Sequence, residues 1–149
     1  MVYTPLTIKA ITFAYNAHFG QFDRSGIPYI FHPFHLAEQM TDEITVCIAL
    51  LHDVLEDTAV TIEDLEKEFP KEVTDAVHLL THTSSEDYRD YIRNLCKNPL
   101  ARKVKFADIA HNMDETRLCD TQVSPEQLKH WRCKYADALS ILQDYEAGL

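Results

Sequence analysis

Glycine is scarce in this chain, three residues in 149, so the tight hairpin turns of an all-β fold have little to be built from. Sustained alternation of apolar and polar residues is also missing, and no half-buried strand is signalled. Long hydrophobic runs are lacking too. The longest, Val46 to Leu51, is far too short to cross a bilayer, and the N-terminus has no leader pattern. The cysteines, at 47, 96, 119 and 133, include no C-x-x-C pair, which leaves out a zinc ribbon and a dithiol redox motif. Positive charge is in short supply as well: 14 Lys and Arg stand against 24 Asp and Glu, for a formal charge of −10. That balance argues against binding to nucleic acid or to an anionic membrane, and an anionic ligand would need local cations. A length of 149 residues suits one domain, residues 1–149, with no room for a second catalytic module. The expected setting is cytoplasmic.

Helix punctuation, by contrast, is plentiful. Thr4-Pro5, His32-Pro33, Phe69-Pro70, Asn98-Pro99 and Ser124-Pro125 each place a proline where it can open a helix. The segments that follow carry helical spacing: Ile8, Ile11, Tyr15 and Phe19; Val73, Ala76, Val77 and Leu80; Leu128, Trp131, Tyr135 and Leu139. Tyr88, Tyr91, Ile92 and Leu95 mark another amphipathic helix. The expected fold class is all-α, a compact helical bundle. One stretch departs from this regularity: Gly20 to Phe31 holds two of the three glycines together with Asp23, Arg24 and Ser25. A loop of that length in a small helical domain is often functional.

The densest chemistry lies in His52-Asp53-Val54-Leu55-Glu56-Asp57. Ile44, Cys47, Ile48, Leu51 and Leu55 fall on one stripe at about 100° per residue, which predicts a buried helix continuing through residue 57. On that helix His52, Asp53, Glu56 and Asp57 would share an arc of about 140°. Buried carboxylates side by side repel one another and cost several kcal/mol each unless partnered, and a divalent cation would satisfy them. Thr61-Ile62-Glu63-Asp64 looks like the capped start of the next helix; a solvated acidic helix end accounts for Glu56 and Asp57 alone equally well, but is the weaker account of all four residues.

Further ligands have to come from elsewhere. His32, preceding Pro33, is expected to be extended at the mouth of a helix. In Val104 to Met113, Lys105, Asp108 and Asn112 share a face within about 60°; the plain alternative is a Lys105–Asp108 ion pair on a wet surface. His111 is turned about 100° from Asn112, free to pack or to orient a neighbour. His18 and His35 are left outside the ligand shell, and His78, His82 and His130 occupy ordinary amphipathic positions.

Four blocks in order, Ala17-His18-Phe19-Gly20-Gln21, Gly26-Ile27-Pro28-Tyr29-Ile30-Phe31-His32-Pro33, Leu50 to Thr58 and Lys105 to Met113, resemble the HD-superfamily hydrolase domain of Rel/SpoT-type stringent-response enzymes, and among these the stand-alone small alarmone hydrolases. By that resemblance His32, His52, Asp53 and Asp108 match metal ligands, with Mn²⁺ the usual ion. Glu56 and Asp57 match a pair that orients and deprotonates the attacking water. Asn112 matches a substrate-contacting residue, Arg24 and Lys105 are candidate anion clamps, and Arg117 and Tyr135 are candidates for the pocket rim. The implied reaction is metal-assisted removal of the 3′-pyrophosphate of guanosine tetra- or pentaphosphate (ppGpp or pppGpp), giving GDP or GTP and pyrophosphate. One departure stands out: many such hydrolases carry two basic residues where this chain has Asp23-Arg24. The alternative is therefore an HD phosphohydrolase acting on another nucleotide, such as NADPH or a nucleoside phosphate. A non-catalytic nucleotide sensor would be expected to have lost one of the six metal and acid positions, and none is lost. Apolar residues on the last helix, Trp131 among them, leave a homodimer open as the assembly.

Overall fold

The computed structural model describes residues 1–119 and 123–149. Its elements are α1 (Pro5–Ala17), α2 (Phe31–Glu38), α3 (Glu43–Leu51), α4 (Val54–Asp57), α5 (Ile62–Glu68), α6 (Lys71–Leu80), α7 (Tyr88–Leu95), α8 (Pro99–Asn112), a 3₁₀ turn at Glu115–Leu118 and α9 (Pro125–Glu146). No strand occurs among the described residues beyond an isolated antiparallel bridge between Phe22 and Pro28. The all-α expectation holds, and no helix among the described residues is long and apolar enough to cross a membrane.

Helix α3 is the axis of the fold. Every residue from Thr45 to Leu51 is buried, as a helix apolar on all sides must be, and it packs against α1, α2, α6 and α8. Asp42 starts it by accepting the Thr45 amide at 2.8 Å. Helix α6 buries Val73, Ala76, Val77 and Leu80, and α7 buries Tyr91, Ile92 and Leu95, both on the faces that their spacing predicts. Thr61 and Asp64 form the capping box of α5.

Three local expectations are corrected. Most of the stripe assigned to α1 faces outward: Ile8, Tyr15 and, beyond the helix end, Phe19 are exposed, Ile11 is partly buried against the core, and Thr7, Ala10 and Ala14 are buried. Periodicity fixes the angle between residues, not which face turns inward, and small side chains let α1 approach α3 closely. Of the five prolines, Pro5, Pro99 and Pro125 open helices, but Pro70 caps α6 from outside and Pro33 is the third residue of α2. The first turn of a helix has no intrahelical use for its amides, so Pro33 loses nothing there. Finally, the helix through residue 57 is broken. His52 caps α3, Asp53 precedes α4, and Glu56 and Asp57 lie in a separate short helix. The His52 ring donates to the Ala49 carbonyl at 2.7 Å, the acceptor that a continuing helix would give to the Asp53 amide.

Candidate metal centre

The break between α3 and α4 sets the site. It turns the Asp53 carboxylate toward the His52 ring, with His52 Nε2 and Asp53 Oδ2 3.0 Å apart. Helix α2 brings in His32, which is helical rather than extended. The bias against helix before proline is overcome by two tight turns, Phe31 N–H to the Pro28 carbonyl and His32 N–H to the Tyr29 carbonyl. Helix α8 supplies Asp108. His32 Nε2 lies 3.1 Å from Asp108 Oδ1 and 3.7 Å from Asp53 Oδ2, and His52 Nε2 lies 3.8 Å from Asp108 Oδ1. The four side chains thus form a ring of two imidazole nitrogens alternating with two carboxylate oxygens. His32, His52 and Asp108 are buried, and Asp53 is nearly so.

Each ligand candidate is held from behind. Because Ala49 accepts from His52 Nδ1, the neutral His52 ring presents its lone pair at Nε2, where no hydrogen-bond donor meets it. Asp53 Oδ2 accepts the Tyr29 hydroxyl at 2.6 Å. Asp108 accepts Lys105 Nζ on one oxygen and Asn112 Nδ2 on the other, each at 2.8 Å. His32 Nδ1 sits 2.7 Å from His111 Nδ1. A buried nitrogen lone pair without a donor, facing two carboxylates, fits a divalent cation with mixed nitrogen and oxygen ligands.

The electrostatics agree with this fit. Burial opposes charge on His52, but the Asp53 and Asp108 carboxylates outweigh it and hold the imidazole pKa well above its usual range. Burial likewise opposes ionisation of Asp53, yet His52 pulls its pKa down to about 2. Asp108 lies well below the carboxylate range, with Lys105 and then the two histidines overcoming burial. Burial, then the Asp53 carboxylate, raises Tyr29, so its hydroxyl stays a donor. A His52 nitrogen that attracts a proton so strongly stands in a field that a divalent cation would equally satisfy.

Glu56 and Asp57 lie at the edge of this ring, and their carboxylate oxygens come within 4.8 Å of that of Asp53. Both are exposed, and both pKa values are raised, first by burial of the carboxyl atoms and then by neighbouring acids; for Glu56 the His82 amide opposes this. That amide donates to Glu56 Oε1 at 2.7 Å, and Gln21 Nε2 donates to the Asp57 carbonyl at 2.7 Å.

A cavity of about 390 Å³ opens from His32 between the 18–30 loop, the 3₁₀ turn and α9. Arg24, Asn112, Arg117 and Tyr135 all line it. Lys105 does not: it is buried behind Asp108, also 5.3 Å over the Tyr91 ring, so the Lys105–Asp108 pair is an interior one and not on a wet surface. Arg24 stacks over Trp131 at 4.3 Å. Trp131 therefore lines the cavity. Asp23 also lines the cavity, and its Oδ1 atom accepts the amides of Ser25 at 2.9 Å and Ile27 at 3.0 Å. Arg117 lies 3.8 Å from its other oxygen and donates to the His111 carbonyl at 2.8 Å. An acid at position 23 thus builds the loop that carries Arg24.

Sequence reasoning did not single out Tyr29 or Trp131 for the site. Tyr29 lies one helical turn before His32, within a block quoted for its resemblance, and that spacing was the available signal. His18, buried and bonded through Nδ1 to Gln21 Oε1 at 2.8 Å, lies against Tyr29 with ring centroids 5.0 Å apart, outside the ligand ring.

Residues 10–118 match the HD domain family. The chain belongs to that family. It is 36% identical over 120 residues to the bifunctional (p)ppGpp synthase/hydrolase SpoT of Escherichia coli K12, covering 70% of this chain and 17% of that protein. It is 38% identical over 122 residues to a probable GTP pyrophosphokinase of Mycobacterium leprae (73% and 16%). A probable guanosine-3′,5′-bis(diphosphate) 3′-pyrophosphohydrolase of Synechocystis is 34% identical over 137 residues (82% and 18%). The chain therefore spans less than a fifth of the length of these relatives. Among solved structures, a metazoan ortholog of SpoT that hydrolyzes ppGpp superposes with a TM-score of 0.84 at 24% identity, over 95% of this chain and 88% of that one; this likeness shows the shared fold.

Proposed function

We propose that this chain is a metal-dependent phosphohydrolase that removes the 3′-pyrophosphate of ppGpp and pppGpp, releasing GDP or GTP and pyrophosphate. The observation that carries the reading is the ring of His32, His52, Asp53 and Asp108 with the Glu56–Asp57 pair at its edge and the cavity opening from His32. Relatives named for synthesis or hydrolysis of the same nucleotide support the substrate class.

Under this reading the four ligands hold one divalent cation, with Mn²⁺ the expected ion. When bound, such a cation makes a water molecule more acidic and neutralises charge on phosphoryl oxygens. The protein's own groups do the rest. Glu56 and Asp57, with raised pKa values, accept a proton from the attacking water. Lys105 keeps Asp108 ionised, and Asn112 keeps it aimed. Arg24, Arg117 and Tyr135 hold the nucleotide in the cavity, supplying the local cations that an acidic chain needs. A cytoplasmic setting accords with four free cysteines.

Asp23 on the cavity wall supports a second reading, in which the site takes another nucleotide such as NADPH or a nucleoside phosphate. Incubation of the purified chain with Mn²⁺ and each candidate, followed by chromatography of the products, separates the two. GDP and pyrophosphate from ppGpp alone support the alarmone reading. Inertness toward ppGpp with turnover of another nucleotide overturns it.

A further inference from the structure

We infer that His111 is a positioning residue that fixes the tautomer and ring orientation of His32 through an in-plane Nδ1–H···Nδ1 bond, an inference that rests on the metal reading of the preceding paragraphs. The two nitrogens are 2.7 Å apart and the ring planes differ by 5°, with centroids separated by 5.0 Å. Ring faces touch at ~3.5 Å, so a closer nitrogen pair in nearly parallel rings means that they meet edge to edge.

The proton can be assigned. Nε2 of His32 faces Asp108 and Asp53 within the ligand ring, and to bind a cation it must present a lone pair. The ring proton of neutral His32 is then on Nδ1, which makes it the donor. His111 Nδ1 is the acceptor, and the His111 proton sits on Nε2. Most metal-bound imidazoles are steered by a carboxylate or a backbone carbonyl, as His52 is by Ala49. Here a second imidazole takes that place, and it adds no negative charge to a site that already holds two carboxylates.

His111 is built for the task. It lies in the last turn of α8, one turn after Asp108, so the helix that places one ligand also orients another. His35 covers its far face at a centroid distance of 4.1 Å, and Arg117 fixes its carbonyl.

The test measures binding of Co²⁺ alone to the unmodified chain and to the His111→Phe and His111→Asn variants, by chelator competition and by the visible absorption of the bound ion. Asparagine can offer an acceptor oxygen close to the position of Nδ1, whereas phenylalanine keeps only the ring. The expected result is a roughly ten- to hundredfold loss of affinity and an altered band in His111→Phe, with both restored toward the unmodified values in His111→Asn. Equal affinity and an unchanged band in His111→Phe, or no rescue by asparagine, overturn the inference while leaving the metal centre standing. No binding by the unmodified chain overturns the metal reading and this one with it. Should His111→Phe fail to fold, nitrogen-15 histidine spectra of the unmodified Zn²⁺-loaded chain decide. His32 protonated at Nδ1 with His111 protonated at Nε2 supports the inference, and the opposite pair of tautomers overturns it.

Discussion

Asp53 and Glu56 stand one helical turn apart, yet the site asks different things of them. Asp53 is inside the ligand ring and carries the Tyr29 hydroxyl, whereas Glu56 is at its edge, exposed and bonded to the His82 amide. Asp53→Ala is therefore expected to abolish both divalent-cation binding and hydrolysis. Glu56→Ala is expected to retain most of the binding and lose at least about a hundredfold in turnover, the scale of a general base; calorimetric titration of Mn²⁺ beside a rate assay checks both, and equal metal loss would sink the division of roles. The same ring predicts how stability responds to pH without metal. Asp53, lowered to about 2, and Asp108, held well below the usual carboxylate range, contribute stability that is present above the unfolded carboxylate range and is lost as pH falls through their folded values. His52, raised, contributes stability that is complete below its unfolded value and disappears as pH rises through the folded one. The metal-free melting temperature should decline on both sides of a plateau. Saturating Mn²⁺ should lift the alkaline side, since the cation takes the place of the His52 proton. Melting curves across pH, with and without the ion, make the comparison, and identical alkaline limbs would contradict it.

Among the elements, the 18–30 loop and the α3–α4 break decide where side chains go. Gly26 has a φ of 82° and no atom within 4 Å of the position where a Cβ would stand. Gly26→Ala is thus strained by backbone conformation alone, at about 1 kcal/mol. Thermal melting should show a small loss of stability and the rate assay a raised KM with little change in kcat, because the loop carries Arg24 and lies beside the ligand ring. A kcat loss equal to that of Glu56→Ala would contradict that placement. The loop, the deep burial of α3 and the inward faces of α6 and α7 were legible because composition and period report them directly. The inner face of α1 was not, since Ala10 and Ala14 carry little hydrophobic signal beside Ile8 and Tyr15. The break after Leu51 was not legible either, because it arises from a side chain competing for a backbone acceptor. His52-Asp53 and Asp108 were readable as charge set among apolar residues. Tyr29 meeting Asp53, and His111 meeting His32, join segments far apart in sequence, and no local pattern announces them.

As a whole, the molecule carries a formal charge of −10, and under the proposed function it must admit a polyanion to a cavity whose arginines, Arg24, Arg117 and Arg132, are already engaged with Trp131, Asp23, the His111 carbonyl and Glu115. Long-range repulsion should thus oppose encounter while local contacts retain the bound nucleotide. Raising monovalent salt from ~10 mM to ~150 mM shortens the screening length from about 30 Å to about 8 Å. It is expected to raise kcat/KM for ppGpp a few-fold, opposite to the usual trend for steered association; a steep fall would mean that the cavity's own field reaches well beyond its rim. The cavity walls come from opposite ends of the chain, Arg24 from the loop after α1 and Trp131 from the final helix. Trp131 is the single tryptophan in the sequence. The chain consequently has a built-in optical reporter: all of its indole emission arises at one wall of the cavity, beneath a guanidinium that an incoming base would have to displace or join. Occupancy of the cavity should be readable in the unmodified protein by intrinsic fluorescence, with no label attached and no turnover required.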